Sequence, residues 1–309
     1  MSFTSIVKNE ISKLELNEVE HIAELSALFR NIAEINHKIK ITTENASVAR
    51  LIFNLVKDLY QINVKITVRK GYNFHKGYYY ILEIQDKVDM ILSDLSIKNG
   101  KSFLNVPNQY IIDDSESEKA YLRGLFMAVG SVNDPKKSRY HLEFLVDNKD
   151  YAQFISDLLN NYHLNSKILK RDNKYMVYIK EAEKISDFLR LIKASHAVLY
   201  FEDIRIYRDH KNMTNRLNNC EQANVEKVIL AANSQISDIK LIESIGGLDL
   251  LDEKIKTVAI YRLKYPEASL TELSEVISIE TGHKITKSGL YHRLKKIREM
   301  ANRIRSQKK

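Results

Sequence analysis

Two eight-residue segments, 102 positions apart, constrain the fold of this 309-residue chain more than any other feature. They are Ile62-Asn-Val-Lys-Ile-Thr-Val-Arg69 and Leu164-Asn-Ser-Lys-Ile-Leu-Lys-Arg171, in which Asn, Lys, Ile and Arg recur in register. The elements around them recur in the same order. In the first copy, residues 18–35 carry apolar side chains at helical spacing (Val19, Ile22, Leu25, Leu28, Phe29, Ile32). Residues 37–42 alternate as a strand does, and 44–60 set Val48, Leu51, Ile52, Leu55, Val56 and Leu59 on one helical stripe. Residues 62–69 and 78–84 read as a hairpin around a loop with Gly71 and Gly77, and 86–95 as a closing helix. The second copy runs helix 117–129, strand 140–146, helix 149–162, hairpin strands 165–170 and 174–179 across Arg171-Asp-Asn173, and helix 181–193. Two such copies, about 18–95 and 117–193, predict a pseudo-twofold α+β domain over residues 1–195.

Composition narrows the class. With 44% apolar residues, 28% charged, three prolines and nine glycines, the chain should be ordered and helix-rich rather than disordered. No apolar run of eighteen residues is present, so no membrane partner is expected, and the first eight residues lack the pattern of a secretory signal. The single cysteine, Cys220, excludes an internal disulfide and fits a reducing cytosol. No nucleophile signature surrounds it.

Charge is distributed unevenly. Residues 283–309 hold ten Lys or Arg (Lys284, Lys287, Arg293, Lys295, Lys296, Arg298, Arg303, Arg305, Lys308, Lys309) against one acid, Glu299. The chain totals of 48 basic and 40 acidic residues therefore leave 38 and 39 for positions 1–282, and the net charge of +8 sits in one terminal segment. That is the footprint of a surface facing phosphates. Within the segment, Leu290, Leu294, Ile297, Ala301 and Ile304 form one helical stripe, and Thr286 or Ser288 can cap its start. The opposite face carries Ser288, His292, Lys295, Lys296 and Glu299, with Tyr291 and Arg293 on the flanks. A capping box, Ser269-Leu-Thr-Glu272, opens the preceding helix, whose Leu270, Leu273, Val276 and Ile277 face inward. A third helix, with Leu251, Ile255, Val258, Ala259 and Leu263 inward, ends at Tyr265-Pro266. Residues 269–303, from Ser269 through Arg303, thus read as a helix-turn-helix, with a turn, 278–285, longer than usual. The alternative reading of the same residues is a solvated basic helix.

Between the two domains, residues 196–247 read as a helical linker. Residues 221–244 read as an amphipathic helix (Val225, Val228, Ile229, Ala232, Ile236, Ile239), and the Asn-rich stretch 212–224 as its capped entrance, with a binding role as the alternative. Gly246-Gly247 is the expected hinge to the C-terminal domain, 248–309.

At this point a family resemblance emerges. The runs Ser269-Leu-Thr-Glu-Leu-Ser-Glu275 and Ile285-Thr-Lys-Ser-Gly-Leu-Tyr-His-Arg-Leu-Lys-Lys-Ile-Arg298 resemble the C-terminal helix-turn-helix of the WhiA transcription regulators. The runs Phe201-Glu-Asp-Ile-Arg-Ile-Tyr-Arg-Asp209 and Asn215-Arg-Leu-Asn-Asn-Cys-Glu-Gln-Ala-Asn-Val-Glu-Lys227 are similar to that family's linker. The resemblance covers nearly the whole chain and implies an N-terminal domain of the LAGLIDADG homing-endonuclease kind, in agreement with the duplication. In those nucleases the repeat helix ends in an acid that binds the catalytic metal. The matching runs here, Leu25-Ser-Ala-Leu-Phe-Arg-Asn-Ile-Ala33 and Leu122-Arg-Gly-Leu-Phe-Met-Ala-Val-Gly130, place Ile32 and Val129 at that position. Neither can ligate Mg²⁺, which takes oxygen donors. The scaffold is thus read as retained and the nuclease as lost, with no metal and no cofactor. Ala27, Gly124 and Gly130 are the small residues that let the two helices pack closely. The hairpin cations Arg69, Lys70, Lys170 and Arg171 either touch phosphate or are solvated tips.

The resemblance implies a non-enzymatic regulator of transcription at the nucleoid, acting on double-stranded DNA. It further implies control of sporulation genes, or of cell division and chromosome segregation, with the transcription machinery or another regulator as further partners. Ser288, His292 and Arg293 are candidates for base edges; Lys284, Lys287, Tyr291, Lys295, Lys296 and Arg298 complete the DNA-facing set. For His292 the alternative is packing half-buried against a neighbour. The rival readings of the whole chain are an active endonuclease, and a scaffold protein with secondary DNA contact.

Overall fold

A computed structural model describes residues 2–71, 77–137 and 139–307. The loop tip between Gly71 and Gly77, and Lys308 and Lys309 of the basic tally, lie outside these residues. The chain divides into two compact units, Met1–Asp209 and His210–Lys309.

The first unit contains two copies of one topology. The first copy comprises α2 (Glu18–Ile32), β1 (Ala33–Ile35), β2 (Ile39–Thr43), α3 (Ala46–Tyr60), β3 (Lys65–Lys70), β4 (Tyr78–Ile84) and α4 (Val88–Asp94), preceded by α1 (Phe3–Ile11). A short ribbon, β5 (Lys98–Asn99) and β6 (Ser102–Phe103), leads to the second copy. That copy comprises α5 (Ser115–Val129), β7 (Gly130–Val132), β8 (Leu142–Val146), α6 (Lys149–Asn161), β9 (Lys167–Arg171), β10 (Lys174–Ile179) and α7 (Ala182–Leu191). Each copy forms an antiparallel four-stranded sheet, ordered β1-β2-β4-β3 and β7-β8-β10-β9. The 102-residue spacing extends to the backbone: Gln61 and His163, which follow α3 and α6, are both left-handed, with φ of 52° and 56°. Such angles are uncommon for residues other than glycine, so their recurrence at one offset is a structural mark of duplication.

Period-2 alternation sends Ile39, Ile41, Leu82 and Ile84 of the first sheet, and Leu142, Phe144, Val177 and Ile179 of the second, into one core with α2 and α5. Asn17 and Glu20 form a capping box at α2 and the Asp114 carboxylate caps α5. The two helices approach so closely that a Cβ on Gly124 would stand 2.9 Å from Glu24 Cα. Ala27 is fully buried beside this approach. Gly130 has a different role from the one expected: it opens β7, where a Cβ would lie 2.7 Å from Phe126 Cα, one turn back in its own helix.

The helix expected over 18–35 stops at Ile32, because the last three residues pair with β2, Ala33 opposite Ile41 and Ile35 opposite Ile39. The helix expected from residue 221 begins much earlier, as α8 (Ser195–Glu243). Its start is capped by the Glu10 carboxylate, which accepts from the His196 and Ala197 amides at 2.7 and 3.0 Å. Residues 212–224 therefore lie inside a helix and are not a capped entrance. Of the stripe expected there, Ala232 and Ile239 are buried, whereas Val225, Val228 and Ile229 are exposed.

The second unit is helical: the last part of α8, α9 (Glu253–Lys264), α10 (Leu270–Thr281) and α11 (Lys287–Gln307). Ile239 and Ile242 of α8 share its core with Val258, Leu273, Ile277, Leu290, Leu294 and Ile297. The Gly246-Gly247 turn, with Gly246 at φ 69°, consequently lies within this unit.

Candidate nucleic-acid interface

Helices α10 and α11 each start on a side chain that accepts from a free backbone amide. The Ser269 amide donates to Glu272 Oε2 at 2.7 Å and the Glu272 amide to Ser269 Oγ at 3.2 Å, completing the capping box. Buried Arg262 donates to Ala268 O at 2.6 Å, fixing the chain between α9 and α10. Gly282, at φ 69°, ends α10. The turn is therefore 282–286, shorter than the 278–285 expected. Ser278 Oγ stitches it, donating to Ser274 O at 2.6 Å and accepting from the Ile285 amide at 3.0 Å. Thr286, rather than Ser288, caps α11, its Oγ1 accepting from the Gly289 amide at 3.1 Å.

Leu290, Leu294, Ile297 and Ala301 are buried on one stripe of α11, as its spacing predicts, and Ile304 is half-buried. Ser288, Tyr291, His292, Lys295, Lys296 and Arg298 are exposed, as are Lys284 in the turn and Lys287 at the helix start. His292 does not pack half-buried; it is exposed, and its ring meets Tyr291 edge-on, centroids 5.9 Å apart. Arg293 is half-buried, lining a groove with Lys254, His283 and Lys284. Tyr291, Lys295 and Arg298 line another with Ala231 to Asp238 of α8, so Lys295 stands on a flank rather than opposite the buried stripe. Lys254 of α9 joins the basic set through folding alone, since nothing in sequence ties it to a helix thirty residues on.

The electrostatics separate free cations from engaged ones. Among the described residues, Lys284, Lys287, Arg293, Lys295, Lys296 and Arg298 make no ion pair, whereas Arg305 pairs at 2.7 Å with Asp238, which is 2% exposed. Arg305 thus leaves the phosphate-facing tally. Two of the three acids of α10, Glu272 and Glu280, are also engaged. Lys264, at 2.8 Å, with Tyr265 holds the Glu280 carboxyl down at about 2, and the Ser269 amide keeps Glu272 below its ordinary range. An exposed row of uncompensated cations on a helix whose other side is buried is suited to polyanion contact.

In the first unit, Ile32 and Val129 are the last residues of α2 and α5. A cleft beside Ile32 is lined by Lys8 and Glu44 as its charged groups. No group of three His, Cys, Asp or Glu that could hold a metal occurs among the described residues. With Ile32 and Val129 at the helix ends, neither side chain offers the oxygen donor that a divalent cation takes. Arg69, Lys70, Lys170 and Arg171 are exposed on β3 and β9, the outer strands of the two sheets.

Comparison with known proteins agrees with both units. Three family models match in order: the WhiA N-terminal LAGLIDADG-like domain over residues 18–98, the WhiA LAGLIDADG-like domain over 118–211, and the WhiA C-terminal HTH domain over 214–301. The protein named Probable cell division protein WhiA in Bacillus cytotoxicus is 44% identical over 312 residues, spanning 99% of this chain and 98% of its own length. Its namesake in Enterococcus faecalis is 44% identical over 310 residues, 99% of each chain. The crystal structure of full-length DUF199/WhiA from Thermatoga maritima superposes with a TM-score of 0.59 at 26% identity, covering 98% of this chain and 99% of that one. Among the described residues no helix is long and apolar enough to cross a membrane. With relatives this similar along almost its entire length, the chain belongs to the WhiA family.

Proposed function

We propose that this protein is a sequence-specific, non-enzymatic DNA-binding regulator of transcription that acts on genes of cell division and chromosome segregation, or of sporulation. The observation that carries the reading is the row of exposed cations on α11 that no acid among the described residues pairs with. Relatives named as cell division proteins support the process. Residues 248–309 bind double-stranded DNA, packed on the end of α8, whose exposed middle connects, and 1–195 serve as a scaffold that can receive the transcription machinery or another regulator. Ser288, His292 and Arg293 meet base edges, Arg293 pairing with guanine at ~1–3 kcal/mol of discrimination. Lys284, Lys287, Lys295, Lys296 and Arg298 meet phosphates, and Tyr291 flanks them.

The test is the salt dependence of promoter binding. Lys295→Ala with Lys296→Ala should weaken binding to every sequence and reduce the slope of log K against log salt by about two, one per lost phosphate contact. An unchanged slope overturns the assignment of this face. Incubation of supercoiled DNA with Mg²⁺ or Mn²⁺ should leave it uncut, and site-specific cleavage would restore the endonuclease reading against Ile32 and Val129.

A further inference from the structure

A cavity of about 510 Å³ lies in the first unit, lined by residues of α1, the end of α2, the β2–α3 junction and the end of α5. Its size is that of a small-molecule site. Most hydroxyls around it already have partners: Ser2 Oγ accepts from the Ser5 amide, Thr4 Oγ1 bonds Val132, and Thr43 Oγ1 accepts from the Asn45 amide. Three polar groups do not. Ser5 Oγ, Thr42 Oγ1 and Lys8 Nζ have no hydrogen bond or ion pair among the described residues, and the Lys8 ammonium lies 5.9 Å from the Phe126 ring centroid. Enclosure pulls Lys8 from its ordinary value down to about 8, so the fold carries an ammonium that burial disfavours and no acid pairs. Two helices also begin at this cavity, α1 after Ser2 and α3 after Asn45, with the Ser5, Ser47 and Val48 amides taken by the caps, so their contribution here is the dipole alone. Glu44 lines it as well and is drawn to the Tyr79 hydroxyl, whose ionisation it opposes. A carboxylate beside an unpaired lysine suits a ligand that is anionic at one end and rich in hydroxyls at the other.

We infer that this cavity binds a small phosphate ester of a sugar or nucleoside, with Lys8, Ser5 and Thr42 on the phosphate and Glu44 on a sugar hydroxyl. The assignment is independent of the DNA-binding reading, since every residue it uses lies in the first unit. DNA backbone phosphate is the other source of the same chemistry, and the experiment separates the two.

Calorimetric titration of the full chain near neutral pH with ribose 5-phosphate and adenosine 5′-monophosphate should give saturable binding, and ribose and adenosine should give none. Lys8→Met should reduce affinity by about tenfold or more, the scale of a charge-assisted hydrogen bond, and Lys8→Arg should retain most of it. Affinity should fall as pH rises through about 8, where the ammonium is lost. Because a half-buried ammonium with no acid partner opposes folding, Lys8→Met should raise the Tm of the ligand-free protein, which a merely structural lysine would not do. Thr42→Val, the milder change, should weaken binding a few-fold without altering Tm. Absence of binding by either ester, or equal binding by wild type and Lys8→Met, overturns the inference. It is also overturned, in favour of backbone phosphate, if Lys8→Met weakens only duplex DNA.

Discussion

Cations are used in opposite ways in the two units. Arg123 of α5 is fully buried between acids of α2: its Nε donates to Glu24 Oε1, and Nη2 lies 3.8 Å from Glu20 Oε1. Lys193 adds a second cation at 3.6 Å from Glu20. On α11, by contrast, Lys287, Lys295, Lys296 and Arg298 are exposed and have no acid within ion-pair distance among the described residues. The first arrangement spends charge on holding two helices together; the second leaves it unspent for a polyanion. Net charge alone would not separate them, because a buried pair and a distant neutral pair count the same.

The largest effect should follow from breaking the enclosed pair. Arg123→Ala strands Glu24 and Glu20 beside an apolar gap and should cost about 3–5 kcal/mol in urea unfolding. Replacing Arg123 by Met together with Glu24→Leu should recover most of that, because the desolvation cost goes with the charges. A pH series probes the same group. Burial outweighs the pull of Arg123 and raises the Glu24 carboxyl to about 7. Between the ordinary carboxylate range and that value the folded state holds the proton more tightly than the unfolded chain. Glu24 should therefore make stability fall as pH rises toward 7 and level off above it. Glu24→Gln should remove that slope, and a slope unchanged by the substitution would place the titration elsewhere.

The engaged cation of α11 offers the next comparison. Asp238→Asn leaves Arg305 half-exposed and unpaired, and should cost about 1 kcal/mol of stability in the second unit. It should also add Arg305 to the DNA-facing set, steepening the salt slope of binding by about one. A flat response would mean that the far end of α11 does not reach phosphate.

What the sequence displayed follows from where selection for burial acts. The helices of the repeat, the inner hairpin strands β4 and β10 and the stripe of α11 are legible because each buries one face, and burial imposes a period; β3 and β9 bury no residue, and it is the recurrence of their residues in register that shows them. β1 is not legible: it adds three residues to α2 without a break in hydrophobicity, and only pairing with Ile39 to Ile41 ends the helix. The continuity of α8 is hidden because its middle, residues 209–231, is exposed, so no apolar stripe is required there and Asn is tolerated mid-helix; its start does bury Ala197, Val198, Phe201 and Ile204 at helical spacing. In the candidate interface, the cations could be counted from the sequence, but which were free could not. Asp238 removes Arg305 across 67 positions, and Lys254 joins Arg293 across 39. Lys8 was passed over for a related reason, since a lone lysine in a short N-terminal segment gives no sign that it will be enclosed.

The smallest effect compares one local device in two settings. Asn17 with Glu20 and Ser269 with Glu272 are both capping boxes. Ser269→Ala removes an acceptor for one amide at an exposed helix start, and should cost about 1 kcal/mol. Asn17→Ala removes the same bond, but Glu20 is also the acid that Arg123 and Lys193 approach, and its other end is fixed by the Asn17 amide at 3.1 Å. Loosening that end lets Glu20 drift from a buried guanidinium whose Nη1 and Nη2 already lack hydrogen-bond partners, so Asn17→Ala should cost measurably more than Ser269→Ala. Hydrogen exchange resolves the two, because the opening free energy of α2 and of α10 is read separately even where the units unfold apart. Equal losses at both sites would show that Glu20 is held by the ion cluster alone, and that the box in the first unit contributes no more than its exposed counterpart.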